Sequence, residues 1–174
     1  MKKRVLPNLR SGDLRSIGKS DEAVELVLAN PEFFGELVAR LTDGDRLVRM
    51  RSADAVEKAT RKHHDWLIPW KRYLLQDVGA HGEKELRWHV AQLLPRLKLT
   101  AIEREHAVEI LHEYLRDKSS IVRTFSMQAL ADFAEEDPAL RLQVRPLIER
   151  LTQRGTPAMK ARGRKLLSKL DKQR

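Results

Sequence analysis

The pattern of apolar and polar residues repeats along this chain with a nearly constant period. Four segments align when one basic residue of each is placed in the same column, namely Arg49, Arg87, Arg123 and Lys160. The spacings between these residues are 38, 36 and 37. A period of this length is typical of folds that stack one supersecondary unit on the next.

Apolar or small residues hold the same positions relative to that basic column in every segment. In the first segment these positions are Val48, Ser52, Ala55, Val56 and Ala59. Because an α-helix has 3.6 residues per turn, such offsets fall on one side of a helix. We therefore predict four equivalent helices with a buried stripe, over residues 45–59, 84–98, 120–134 and 158–169.

A second amphipathic helix is predicted before each of these, over residues 31–41, 65–75, 101–115 and 138–151. Pro31 and Pro138 suit the first turn of a helix, whereas the interior Pro69 and Pro146 predict kinks. Helix pairs at this period stack into an α-solenoid. Upstream, Ser20 is expected to cap a further helix that ends near residue 29.

The turn between paired helices also follows a pattern. An apolar helix, an aspartate and a Val-Arg pair succeed one another at Asp43 with Val48-Arg49 and at Asp117 with Val122-Arg123. This order resembles HEAT repeats of the small bacterial type, over about residues 31–170. The resemblance implies an all-α, right-handed α-solenoid (α-α superhelix) of about four to five helical hairpins. It also implies a ladder of these Asp and Arg side chains between neighbouring repeats.

Two departures from the HEAT pattern stand out. Asp77 and Arg87 are ten residues apart instead of six, so the second repeat has a longer turn. Arg154 stands where the last repeat should have its aspartate, which fits a divergent capping repeat. Trp66, Trp70 and Tyr73 are spaced as a core stripe of the second repeat.

Charge is distributed unevenly along the chain. The net charge of +9 divides into +5 over residues 1–19, +7 over residues 154–174 and −3 between them. We predict a single domain over residues 1–174, with 1–19 a basic N-terminal arm and 154–174 a basic capping helix. Basic ends of this kind either keep a protein soluble or attract a polyanion.

The sequence has no recognisable catalytic motif. It has no cysteine, no HExxH pair, no phosphate-binding glycine loop and no GxSxG element. We therefore expect neither a cofactor nor a metal, and a protein that is not an enzyme. The absence of a signal-like or membrane-spanning apolar run favours a cytoplasmic location without membrane contact.

The residues beside the buried stripe predict a binding surface. In stacked helix pairs the second helices line the inner, concave face, where solenoids usually bind. Trp88 is the most distinctive residue there, because Trp and Arg dominate interface hot spots. The candidate residues are Met50, Arg51, Asp54, Arg87, Trp88, His89, Gln92, Arg123, Phe125, Gln128, Lys160, Arg162 and Lys165.

These observations favour a non-catalytic scaffold or adaptor with a protein partner. The alternative is nucleic-acid binding through the basic ends, with Trp88 stacking on bases. Bacterial alkylpurine glycosylases of HEAT-like fold imply that base chemistry is compatible with such a solenoid. A third hypothesis, an accessory lyase or chaperone for chromophore-bearing proteins, rests on the fold alone.

Overall fold

The computed structural model describes residues 6–10 and 18–172, and helices without any strand make up the regular structure of these residues. The helices are α1 (Ser20–Ala29), α2 (Phe34–Ala39), α3 (Arg46–Ala59), α4 (Lys71–Tyr73), α5 (Lys84–Leu93), α6 (Ala101–Tyr114), α7 (Ser120–Glu136), α8 (Pro138–Arg154) and α9 (Pro157–Asp171). Short 3-10 turns cover Pro31–Phe33, Arg40–Thr42, His64–Trp70 and Leu94–Arg96, and a π-helical turn covers Leu74–Val78. Within these described ranges, no helix is long and apolar enough to cross a membrane.

Packing divides the described residues into two compact units. The first contains the described residues up to Val90 together with Arg96–Lys98. The second contains Ala91–Pro95 and the described residues from Leu99 onward. In the first unit α1 and α2 pack on α3, and in the second α6 and α8 pack on α7 while α9 packs on both α7 and α8.

The repeating stripe forms the cores of these units. All stripe positions of α3 and of the α5 segment are buried, including Val48, Val56 and Leu86. In α7 and α9 the stripe is also buried, except that Phe133 and Leu167 are half-buried. The predicted burial periodicity is therefore confirmed, and α3, α5, α7 and α9 begin within one residue of their expected positions.

The first helix of the second repeat is irregular. Instead of one kinked α-helix, a 3-10 segment runs through Pro69, followed by a single α-turn and a π turn that closes with a hydrogen bond from Gly79 N to Leu74 O (2.9 Å). Proline lacks the N–H that an α-helix requires and disfavours α geometry in the preceding residue. The altered winding leaves Trp66, Trp70 and Tyr73 only half-buried, so the prediction of a core stripe there was wrong.

Helix α1 begins at the predicted residue, but its cap differs from the prediction. Lys19 occupies the N-cap position and makes no side-chain capping bond. Ser20 is buried in the first turn, and its hydroxyl donates a hydrogen bond to the carboxylate of Asp54 on α3. The serine therefore joins α1 to α3 instead of capping its own helix.

Part of the N-terminal segment packs against α3. The side chains of Leu6 and Leu9 are buried, and the fully buried guanidinium of Arg51 donates to the carbonyl of Leu9 at 2.7 Å. Gly18, at φ 53°, lies so close that a Cβ there would be 2.6 Å from Cζ of Arg51. The predicted basic arm over 1–19 falls in part on residues 1–5 and 11–17, outside the described residues.

A buried ionic cluster fixes the C-terminal end of α3. Glu57 is 3% exposed and accepts hydrogen bonds from Arg61 and Arg96, the latter also donating to Glu57 O (2.7 Å). Burial alone would raise the pKa of Glu57, but the two guanidinium groups more than offset this and lower it. The carboxylate is therefore held charged inside the first unit.

The expected Asp-Arg ladder is replaced by another contact in the first unit. Arg49 donates to the main-chain carbonyl of Asp43 and to both carboxylate oxygens of Glu83, with Nε to Oε2 at 2.9 Å. The carboxylate of Asp43 instead accepts the N–H of Asp45 at 2.8 Å. Asp117 likewise accepts the N–H of Ser119 at 2.8 Å. The aspartates therefore shape the turns, and a glutamate from the next repeat binds the arginine.

Regular helices and close packing characterise the second unit. Helix α8 continues from Pro138 to Arg154 through the interior Pro146. Gly163 on α9 lies against Thr152 on α8, and a Cβ at Gly163 would stand 1.8 Å from Oγ1 of Thr152. Only the absence of a side chain at this position allows α8 and α9 to approach so closely.

Candidate binding site

Two of the candidate residues are buried. Arg51 has no exposed surface, and His89 is 3% exposed. Neither side chain can reach a partner in this arrangement, so the prediction that they line a binding surface was wrong for both. Both hold the column two residues after the basic one, which sequence periodicity places at the flank of the buried stripe.

His89 lies in an environment that disfavours its charged form. Burial lowers the pKa of His89 to about 4, although Asp54 and Glu57 oppose this shift while Lys58 and Arg61 add to it. Its Nδ1 is buried and makes no hydrogen bond within the described residues. The imidazole is therefore neutral at pH 7 and contributes to packing, with its ring centroid 4.3 Å from that of Trp88.

The remaining candidates of the first unit have internal contacts. Asp54 accepts hydrogen bonds from Ser20 and forms an ion pair with Lys58 at 2.7 Å. Arg87 donates from Nε to the carbonyl oxygen of His81 at 2.9 Å. Met50, Arg87 and Trp88 are half-buried, which leaves part of each side chain accessible. These contacts hold the polar candidates in place within the first unit.

The second unit brings three candidate residues together. Arg162 on α9 donates to Oε1 of Gln128 on α7 at 2.7 Å, and its guanidinium carbon lies 5.9 Å from the ring centroid of Phe125. The Nε2 of Gln128 in turn donates to Oδ1 of Asp132 at 2.8 Å. The arrangement fixes a planar cation over an aromatic ring beside an amide and a carboxylate.

Three further side chains extend this group. Asp132 and Glu135 follow Phe125 and Gln128 along one side of α7, and Lys169 on α9 forms an ion pair with Glu135. Burial raises the pKa of Asp132, an effect that Glu135 reinforces and the hydrogen bond from Gln128 opposes. We define the α7–α9 face as Phe125, Gln128, Asp132, Glu135, Arg162, Lys165 and Lys169.

The α7–α9 face was only partly predictable. Asp132, Glu135 and Lys169 were missed. Asp132 and Lys169 each lie four residues after a candidate, Gln128 and Lys165, and Glu135 lies three residues after Asp132, so helical spacing could have found all three. Lys165 is exposed, as is Lys160. Gln92 and Arg123 are half-buried, and Nε of Arg123 is buried without a hydrogen bond inside the described residues.

The described side chains offer no metal site: over residues 6–10 and 18–172, no three His, Cys, Asp or Glu residues are grouped so that they could hold an ion. The α7–α9 face instead offers three cations, an amide, an aromatic ring and two carboxylates over adjacent helices. Such a surface can bind a polar ligand by hydrogen bonds and stacking.

Comparison with known proteins gives information about the fold. No family model matches the chain, and no curated protein matches it. Among solved structures, two crystal structures of engineered proteins from a structural genomics consortium are similar, each with a TM-score of 0.62. The identities are 17% and 20%, over 88% and 95% of this chain and 68% and 71% of theirs. The chain therefore has an all-helical fold that engineered proteins share.

Proposed function

We propose that this protein is a HEAT-like α-solenoid scaffold that binds a protein segment on its second helices, with the α7–α9 face as the main contact. The packing of α6, α7, α8 and α9 supports the repeat interpretation, because α7 contacts α6 of its own pair and both helices of the next pair, and α9 contacts α8. A cytoplasmic location and the absence of catalysis remain predictions of the sequence.

The observation that carries this proposal is the mixed character of the α7–α9 face. The guanidinium of Arg162 on α9 lies over the ring of Phe125 and donates to Gln128, while the carboxylates of Asp132 and Glu135 lie on α7 with these two residues. A polypeptide presents donors, acceptors and apolar side chains together, so it matches such a surface. A phosphate backbone offers only acceptors and would have no donor for the carboxylates of Asp132 and Glu135.

Selected peptides test this proposal. Peptides chosen from a random display library on the immobilised protein are measured by fluorescence polarisation against wild type, Arg162→Ala and Arg164→Ala. Arg162→Ala should weaken binding by about 30-fold, since a hot-spot arginine contributes roughly 2 kcal/mol. Arg164 is exposed on the same helix and forms no ion pair in the described part of the chain, so its variant should bind like wild type. Equal affinities for both variants would contradict the proposal.

The second candidate function is nucleic-acid binding. One observation favours it: Lys160, Arg164 and Lys165 are exposed on α9 and form no ion pair within the described residues. Labelled duplex and single-stranded DNA and RNA are titrated at low and physiological salt with wild type and Trp88→Ala. Contacts to phosphates would give a log-log salt slope of about −0.9 for each on duplex DNA. Steep, Trp88-dependent binding would favour this function over the first.

A further inference from the structure

A groove lies between α6 and α8, away from the residues of the α7–α9 face. Both helices pack on α7, and between them remains a cavity of about 480 Å³. The apolar part of its lining includes Val108 and Leu140, and its polar part includes Glu105, Glu109, Arg104 and Asp137. A volume of this size falls in the range of ligand-binding clefts.

The charges of this groove are not balanced. Arg104 and Asp137 form an ion pair with each other at 3.4 Å, and Asp137 also caps α8 by accepting the N–H of Leu140 at 3.0 Å. Glu105 and Glu109 are exposed on the wall of the groove and form no ion pair within the described residues. A protein of net charge +9 thus has a locally acidic groove that Val108 and Leu140 line with apolar surface.

We propose that the α6–α8 groove binds a cationic polypeptide segment, with its Lys or Arg side chains on Glu105 and Glu109 and an aliphatic side chain over Val108 and Leu140. The charge of the two glutamates selects a cationic occupant, and the apolar side chains of Val108 and Leu140 can cover an apolar side chain of that occupant. This surface is separate from the α7–α9 face, so the inference does not depend on the proposed function.

The length of the groove fixes the size of the segment. Its lining on α6 extends from Ala101 to His112. At 1.5 Å per residue this is about 16 Å, which an extended chain covers with about five residues. A short peptide that alternates lysine and leucine therefore places cations on one side and aliphatic groups on the other, and serves as the probe.

Fluorescence polarisation with this labelled peptide tests the proposal. Wild type should bind it, and a peptide with glutamate in place of lysine should not bind. The Glu105→Gln/Glu109→Gln double variant should weaken binding about tenfold, as expected for two partly exposed charge pairs. Glu113→Gln is the control, because Glu113 lies on the same helix, outside the groove, and pairs with Arg116 at 3.3 Å.

A second variant tests whether binding requires the groove itself or only the negative charge of this surface. Ala139 is exposed on the α8 side of the groove, so Ala139→Trp fills the cavity without altering any charge. It should abolish binding of the lysine peptide while thermal unfolding stays close to that of wild type. Absence of binding by wild type, equal binding of the glutamate peptide, equal effects of Glu113→Gln and the double variant, or full binding by Ala139→Trp would each overturn the proposal.

Discussion

Helices α3 and α7 hold equivalent places in the repeat, yet they bury different kinds of polar group. The buried polar residues of α7 are Thr124 and Ser126, whose hydroxyls donate to carbonyls four residues back in the same helix at 2.7 and 2.8 Å. Helix α3 also buries a hydroxyl, that of Ser52, but in addition it buries Arg51 and Glu57, whose hydrogen-bond partners include Leu9 and Arg96 from other segments.

This difference shows two ways in which equivalent helices satisfy the polar groups that they bury. The hydroxyls of α7 have their hydrogen bonds as soon as the helix forms, so they need no partner from the elements packed around it. The charges of α3 depend on groups outside the helix, among them Leu9 and Arg96, and an unpaired buried charge is costly. The first unit is therefore expected to respond more strongly to loss of a single polar side chain.

The largest effect is expected at Arg51. Replacing it in Arg51→Met removes a buried cation and leaves the carbonyl of Leu9 without its donor, which should lower the free energy of unfolding by about 3 kcal/mol. The matched change Arg164→Met affects an exposed arginine of α9 and should stay within about 0.5 kcal/mol. Urea denaturation measures the free energy of unfolding of both variants. A similar decrease in the two would contradict the greater sensitivity of the first unit.

In the second unit the position most sensitive to substitution is Gly163, which packs closely against Thr152. Gly163→Ala forces a Cβ against Thr152 and should cost about 2 kcal/mol, as overpacking of a dense core does. Combining it with Thr152→Ala should recover part of the loss, because the contacting oxygen is removed. Gly82 has open space around its Cα, so Gly82→Ala should be neutral or slightly stabilising. A double variant no more stable than Gly163→Ala would contradict close packing as the cause.

A smaller, pH-dependent effect is expected from His89. Its pKa of about 4 in the folded chain lies below the ordinary value of 6.5, so the unfolded chain binds the proton more readily. Stability should fall as pH decreases from 6.5 towards 4, by about 1.5 kcal/mol between pH 7 and 5. In His89→Phe this dependence should disappear over that interval, relative to wild type. An unchanged pH profile in the variant would show that another group titrates there.

Much of the fold was predictable because it follows local periodicity. The stripe of α3, α5, α7 and α9 depends only on helical geometry and burial, both visible in the sequence. The burial of Arg51 was not predictable, since the cover over it comes from Leu9 and Gly18, which lie outside the repeat. The winding of the segment around Pro69 depends on how the chain replaces a missing hydrogen bond, which the apolar pattern does not specify.

The candidate site, like the fold, was predictable only where it follows from helical position. Phe125, Gln128 and Arg162 were predicted from helical position, and the structure joins them by a hydrogen bond and a cation–π contact. The repeat column of Phe125 and Arg162 holds the buried Arg51 and His89 in the first unit, because the tertiary contacts there differ. A column of the repeat therefore predicts which side of a helix a residue occupies but not what lies opposite to it.

The most direct test of the account places a photo-crosslinking amino acid at position 125 and maps crosslinks to a selected peptide by mass spectrometry. Leu142, 80% exposed on α8 and outside both surfaces, is the control position. The account predicts crosslinks from position 125, competed by unlabelled peptide, and none from position 142. Crosslinks of equal yield from both positions, or from position 142 alone, would contradict binding on the α7–α9 face.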